Sequence, residues 1–171
     1  MGSIRTATAE DVPQITDIYN ALLESTTFEW TETLYTVNER EQWLHQKQVI
    51  GHPVLVAIEE DEVVGVATYG DFRDSTRWPG YRFTVEHSIH VAEGHWSRGI
   101  GRALISELAN RARRNDKRVM VAGIDASNTR SIEFHRRLGF DVVARMAGIG
   151  DKWGQRLDLV LMQCSLRDVD W

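Results

Sequence analysis

A single cysteine, Cys164, stands among 171 residues, so no disulfide can close within the chain and no paired-thiol motif exists. A His-Glu-x-x-His spacing is missing too, and His45, His52 and His95 are scattered without ligand spacing, which together predict a protein without metal. Basic charge is scarce. Twenty Lys and Arg face 25 Asp and Glu for a net charge of −5. The Arg111 to Arg118 cluster lacks interleaved aromatics, so nucleic acid is excluded as a partner. No apolar run is long enough to cross a bilayer, and the N-terminus lacks the charged-then-apolar order of a secretory leader. The expectation is a cytosolic protein without membrane association. Internal repeats and low-complexity linkers are absent, and 42% apolar residues suffice for one core, which predicts one domain over 1–171.

What is present alternates between two periods. Ile4 to Ala7 reads as a short strand, and Thr8-Ala9-Glu10-Asp11 as a helix start feeding the apolar stripe Ile15, Ile18, Tyr19 and Leu22. After the Ser25-Thr26-Thr27 break, Thr36-Val37-Asn38-Glu39 opens a second helix with capping-box logic. Pro53 to Ile58 and Val63 to Tyr69 form a hairpin about an acidic turn, and a polar, aromatic loop leads to a long strand from Arg82 to Val91. A helix over 101–115, a strand over 118–124, a helix over 128–138 stopped by Gly139, and strands at 141–145 and 157–164 follow. The order β-α-α-β-β-β-α-β-α-β-β predicts a layered α/β (α+β) fold.

The stretch from Glu86 to Gly101 is the most informative: a β-branched strand, a polar turn, then Arg98-Gly99-Ile100-Gly101 opening a helix. The glycines let backbone N–H groups approach an anion closely, and the helix adds its positive dipole end, so a pyrophosphate is the natural guest. Neither a Gly-Lys-Ser/Thr nor a full Gly-x-Gly-x-x-Gly accompanies it, which argues against P-loop and dinucleotide folds. Glu86 precedes the cradle on the same strand, and the pairing suggests group transfer.

Together with Asn128-Thr129-Arg130-Ser131-Ile132-Glu133-Phe134-His135 and Leu138-Gly139-Phe140, this stretch closely resembles the GNAT superfamily of N-acetyltransferases. Within it, Thr84-Val85-Glu86-His87-Ser88, Phe134 to Phe140 and Asp158-Leu159 are similar to the phosphinothricin and methionine sulfone or sulfoximine acetyltransferase branch. The resemblance covers nearly the whole chain. It implies a mixed, mostly antiparallel sheet of about seven strands flanked by about four helices, with the fourth and fifth strands splayed to hold acetyl-CoA. On that pattern Ile89, His90 and Val91 offer main chain to the pantetheine, Ser97, Arg98, Gly99, Ile100, Gly101 and Arg102 surround the pyrophosphate, and Asn128 bonds the pantetheine. Asn128 reads equally well as a helix N-cap. Trp96 stands where the superfamily commonly carries Arg or Gln, so one phosphate contact is expected to be missing, and the Phe72 to Tyr81 loop is a few residues long for the branch.

Amide formation needs a neutral amine, yet an amino acid's amine is protonated at neutral pH, so a base must act. Glu86 is the candidate, through water, with burial raising its pKa. His135 occupies the position where the superfamily often places a Tyr that protonates the departing thiolate; its bland alternative is a helical histidine packed in the core. Arg73, Glu86, His87 and Ser88 are expected to meet the acceptor, Arg73 gripping its carboxylate, with Phe28 and Tyr81 among the aromatics walling the pocket. The resemblance implies acetyl transfer to the α-amine of a small amino acid or analogue such as phosphinothricin or methionine sulfone, a detoxifying role, and a homodimer with the Ile149 to Gln155 turn near the partner's pocket. Two alternatives stand: a protein N-terminal or polyamine acetyltransferase, and a non-catalytic acyl-CoA-binding module. Arg73 speaks against polyamines, and Glu86 with His135 against silence.

Overall fold

Each predicted element forms, in the predicted order. The computed structural model describes residues 2–169, so Met1, Asp170 and Trp171 of the expected 1–171 span lie outside the described residues. The elements are β1 (Ser3–Thr6), α1 (Val12–Ser25), α2 (Val37–Val49), β2 (Val54–Glu59), β3 (Glu62–Asp71), β4 (Thr84–Val91), α3 (Ile100–Arg114), β5 (Val119–Asp125), α4 (Thr129–Arg137), β6 (Asp141–Lys152) and β7 (Gln155–Ser165). None of the described helices is long and apolar enough to cross a membrane.

Local chemistry explains the boundaries. The Thr36 hydroxyl accepts from the Glu39 N–H at 3.2 Å while the Glu39 carboxylate accepts from the Thr36 N–H at 2.8 Å, closing the capping box that starts α2. Asn128 caps α4 by accepting from the Ser131 N–H at 3.0 Å. The β2–β3 hairpin turns on Glu60 and Asp61, both left-handed at φ 50° and 66°, the backbone that a two-residue turn between twisted strands requires.

One seven-stranded sheet results, in the order β1-β2-β3-β4-β5-β7-β6, antiparallel except where β4 meets β5. β7 lies between β5 and β6. Leu104, Ile105 and Leu108 of α3 pack with Met120, Met162 and Phe140 on one face. Ile15 and Tyr19 of α1 and Leu44 of α2 pack with Val54, Val56 and Val66 on the other.

β6 corrects the sequence reading, which ended it near Arg145. The strand continues to Lys152 through a register shift between Met146 and Gly150. Its Ala-Gly-Ile-Gly segment reads as loop, but the glycines serve the strand. Gly148 sits at φ +61°, and a Cβ on Gly150 would lie 2.4 Å from the Trp30 ring.

Candidate active site

β4 and β5 pair only from Thr84 to His87 against Val119 to Ala122. Beyond that point β4 stays with β3 as far as Val91, and β5 stays with β7 as far as Asp125, so the two parallel strands part company. Alternation along β4 decides what lines the gap. Thr84 accepts from the Phe72 N–H and the Ala92 N–H donates to Val64, so even-numbered residues spend their main chain on β3. Phe83 accepts from the Arg118 and Val119 N–H groups, so odd-numbered residues face β5. Ile89 and Val91 therefore turn main-chain groups into the gap. His90 does not, contrary to expectation; it contributes its side chain.

At the end of the gap lies the turn that the sequence reading takes as an anion cradle. Ser97 and Gly99 both adopt left-handed backbone, φ 63° and 85°, before α3 begins at Ile100. Successive N–H groups in such a turn converge on a concavity at the helix N-terminus. Gly101 packs closely, since a Cβ there would lie 3.2 Å from the Phe134 ring, tighter than ordinary contact. Arg98 leans away, 3.3 Å from the Glu59 carboxylate, while Arg102 is exposed. The Trp96 indole donates to the Val91 carbonyl at 2.7 Å.

The two faces of β4 carry different chemistry. Toward α1 and α2 point Glu86, Ser88 and His90. Glu86 is half-buried and makes no hydrogen bond among the described residues. Burial pushes its carboxyl above the usual range, opposed only partly by the Arg73 cation. Its Oε1 occupies the space left by Gly123 on β5: a Cβ there would sit 2.8 Å away, and the same Cβ would meet Leu159 and Leu161 of β7 at 3.6 and 3.9 Å. His90 Nε2 lies 3.1 Å from the Glu29 carboxylate and its ring is 4.3 Å from that of Tyr19. Burial would raise Glu29, but His90, then Arg40 and Lys152, outweigh it and hold the carboxyl below its ordinary value.

Toward α3 and α4 point His87 and Ile89. His87 is fully enclosed, its ring 5.1 Å from His135 and 5.6 Å from Phe140, and among the described residues neither of its nitrogens has a hydrogen-bond partner. Burial, then the neighbouring imidazoles, push it well below the histidine range. His135 is held down to about 4 by burial. Its Nδ1 lies 2.7 Å from the Ser131 carbonyl, a contact that needs the N–H on Nδ1 and leaves Nε2 a bare acceptor. That geometry suits packing better than proton donation, the role the sequence had suggested, and it sets His135 on the other side of the sheet from Glu86.

Arg73 is exposed, near enough to Glu86 to act on it electrostatically, and stacks at 5.6 Å on Phe72, which neighbours Tyr81 at 6.2 Å. Phe28 and Tyr81 are exposed. The sequence reading missed what holds the loop between α1 and α2 over the site. Lys152, fully buried, donates to the carbonyls of Leu23, Thr26 and Glu29 at 2.7, 2.8 and 2.9 Å. Trp30 donates to Asp125 at 3.2 Å, and the Trp153 N–H donates to Glu32 at 2.6 Å. An acidic residue between Phe28 and Trp30 was the available signal for Glu29; Lys152, in an Asp-Lys-Trp-Gly turn, offered none.

Comparison with known proteins agrees with this architecture. Residues 15–140 match the acetyltransferase (GNAT) family. The L-methionine sulfoximine/L-methionine sulfone acetyltransferase of Salmonella typhimurium is 43% identical over 96% of this chain and 94% of its own. The L-amino acid N-acyltransferase MnaT of Escherichia coli is 41% identical over 96% and 94%. The crystal structure of a phosphinothricin acetyltransferase from Sinorhizobium meliloti in complex with acetyl-CoA superposes with a TM-score of 0.89 at 34% identity, covering 96% of this chain and 88% of that one.

Proposed function

The chain belongs to the acetyltransferase (GNAT) family, and from that premise we propose that it transfers the acetyl group of acetyl-CoA to the α-amine of a small amino acid or analogue, with Glu86 as general base. One observation carries the mechanism: a desolvated, hydrogen-bond-free carboxylate beside the point where β4 and β5 separate. A raised pKa brings a carboxylate closer to an amine it must deprotonate, directly or through water. The relatives named for methionine sulfone or sulfoximine and L-amino acid acylation support the acceptor class.

The cosubstrate supplies an activated acyl group as a thioester. The residues present fit it: Ser97 to Arg102 form the anion cradle, and Ile89 and Val91 turn main-chain groups toward a linear arm lying between the strands. An Ile89 or Val91 N–H is the donor for charge developing on the acyl oxygen. Arg73 takes the acceptor's carboxylate, Ser88 and the aromatic pair Phe28 and Tyr81 bound its side chain, and Asn128 fixes the start of α4 beside the arm. His87 and His135 are assigned to packing beneath the site. Residues 1–171 act as one cytosolic domain in a detoxifying role. The exposed Val143, Ile149 and Trp153 on β6 and its turn supply the apolar surface for a homodimer.

Thiol release from acetyl-CoA, followed against free amino acids, methionine sulfone, methionine sulfoximine, phosphinothricin, peptides and spermidine, tests the reading. Turnover confined to free amino acids and their analogues is expected. Turnover only with peptides or spermidine would move the acceptor class, and cosubstrate binding without any turnover would leave an acyl-CoA-binding module. Sedimentation as a monomer at micromolar concentration would remove the homodimer.

A further inference from the structure

The phosphate cradle draws little charge from its own turn, where Arg102, exposed at the start of α3, is the one cation without a carboxylate partner among the described residues. Trp96 brings no charge, and Arg98 is committed to Glu59 at 3.3 Å and to His95 at 3.2 Å, on the side facing β2. A further cation arrives from elsewhere. Arg130, in the first turn of α4, reaches back 33 positions to the cradle, its Nη2 donating to the Ser97 hydroxyl at 3.0 Å and its guanidinium lying 4.6 Å over the Trp96 ring.

Apart from the Trp96 ring and the Ser97 hydroxyl, the helix itself does not favour a positive charge there. The first turn of a helix is the positive end of its dipole, where acidic side chains are preferred. Among the described residues Arg130 has no carboxylate partner, whereas Arg136 and Arg137 of the same helix both pair with Glu133. An unpaired arginine on the unfavourable end of one helix, laid on an aromatic platform against the left-handed turn that starts another, is placed to meet an anion from outside the chain. The planar fork suits a phosphate.

Resting on the acetyl-CoA reading above, we propose that Arg130 is a phosphate-binding residue of this site, with Trp96 as the platform that aims it and the diphosphate of the cosubstrate as its target. The sequence departure at Trp96 then has a counterpart: the turn gives up a cation, and α4 supplies one through the stack that the indole makes possible.

The test measures direct binding by calorimetry of CoA, dephospho-CoA, which keeps the diphosphate but lacks the 3′-phosphate, and pantetheine, which lacks both. Arg130→Met is expected to weaken CoA and dephospho-CoA alike by about tenfold, with pantetheine unchanged and a shallower salt dependence. Trp96→Leu is expected to weaken the same two ligands by a smaller factor. Circular dichroism confirms that both variants fold. Binding of both nucleotides to Arg130→Met within about twofold of the parent overturns the proposal, since an exposed charge with no role changes affinity little. Loss confined to CoA moves the contact to the 3′-phosphate and overturns the diphosphate assignment. If the parent protein binds none of the three, the acetyl-CoA reading itself falls, a result distinct from a silent Arg130 in a protein that binds CoA.

Discussion

Two faces of one strand show what burial does with charge. On the α1/α2 side of β4, Glu86 keeps a half-buried carboxylate and Glu29 stays ionised against His90. On the α3/α4 side, His87 and His135 are stripped of charge and packed against Phe140. The difference lies in what covers each face. α3 and α4 seal theirs with side chains, whereas a loop pinned by Lys152 and Trp30 lies over the other, where Glu86 stays half-buried.

If Glu86 is the working group of the open face, Glu86→Gln lowers kcat by about a hundred- to a thousandfold, the range for a lost general base, with the KM for acetyl-CoA unchanged. Parent activity should fall with acidity through a pKa above the ordinary carboxylate range, because the base works only when deprotonated. An unchanged kcat would make the two faces equivalent.

The closed face is tested by acid. His135 titrates at about 4 when folded, against 6.5 when unfolded. The unfolded chain therefore binds the extra proton as pH falls from 6.5 to 4, and stability declines through that window by about 3 kcal/mol for this group, then levels off. His87 acts in the same direction. Denaturant midpoints measured across the window check this, and His135→Leu should reduce the slope by about one proton. A slope that His135→Leu leaves untouched would mean the imidazole is not buried neutral.

Lys152→Met removes the donor for three carbonyls and should lower stability by about 2 kcal/mol, the cost of stranded buried polar groups. Because the same contacts seat Glu29 and Trp30, the KM for the acceptor should rise while that for acetyl-CoA stays put. Steady-state kinetics in both substrates separates the two.

Gly123→Ala is the mildest probe. The new methyl would collide with the free end of Glu86, which can swing aside, so the melting temperature should hold while turnover drops by about tenfold from a displaced carboxylate.

The left-handed turn that leads into α3 was legible in the sequence because its geometry is local. Ser97, Gly99 and the start of α3 lie within a few residues, and glycine chemistry announces such a turn. Asn128 advertised its cap in the same way, and the strand and helix periods set the element order. The seating of the loop between α1 and α2 was not legible, because its contacts are distant in sequence: Lys152 reaches residues 123 to 129 positions earlier, and Trp30 meets Asp125 across 95. No period or motif encodes those meetings. The orientations of His135 and His90 were hidden for another reason, since which way a ring nitrogen or a strand amide points depends on strand alternation and tautomer, which residue identity alone does not reveal.

The insertion of β7 between β5 and β6 has a consequence for biosynthesis. A nascent chain that has emerged only as far as β6 already contains the turn before α3 and Glu86, yet β5 still shows a bare edge of amides and carbonyls. Until β7 slides in, that edge invites pairing with another polypeptide, which makes the interval before the final hairpin closes the time of greatest aggregation hazard.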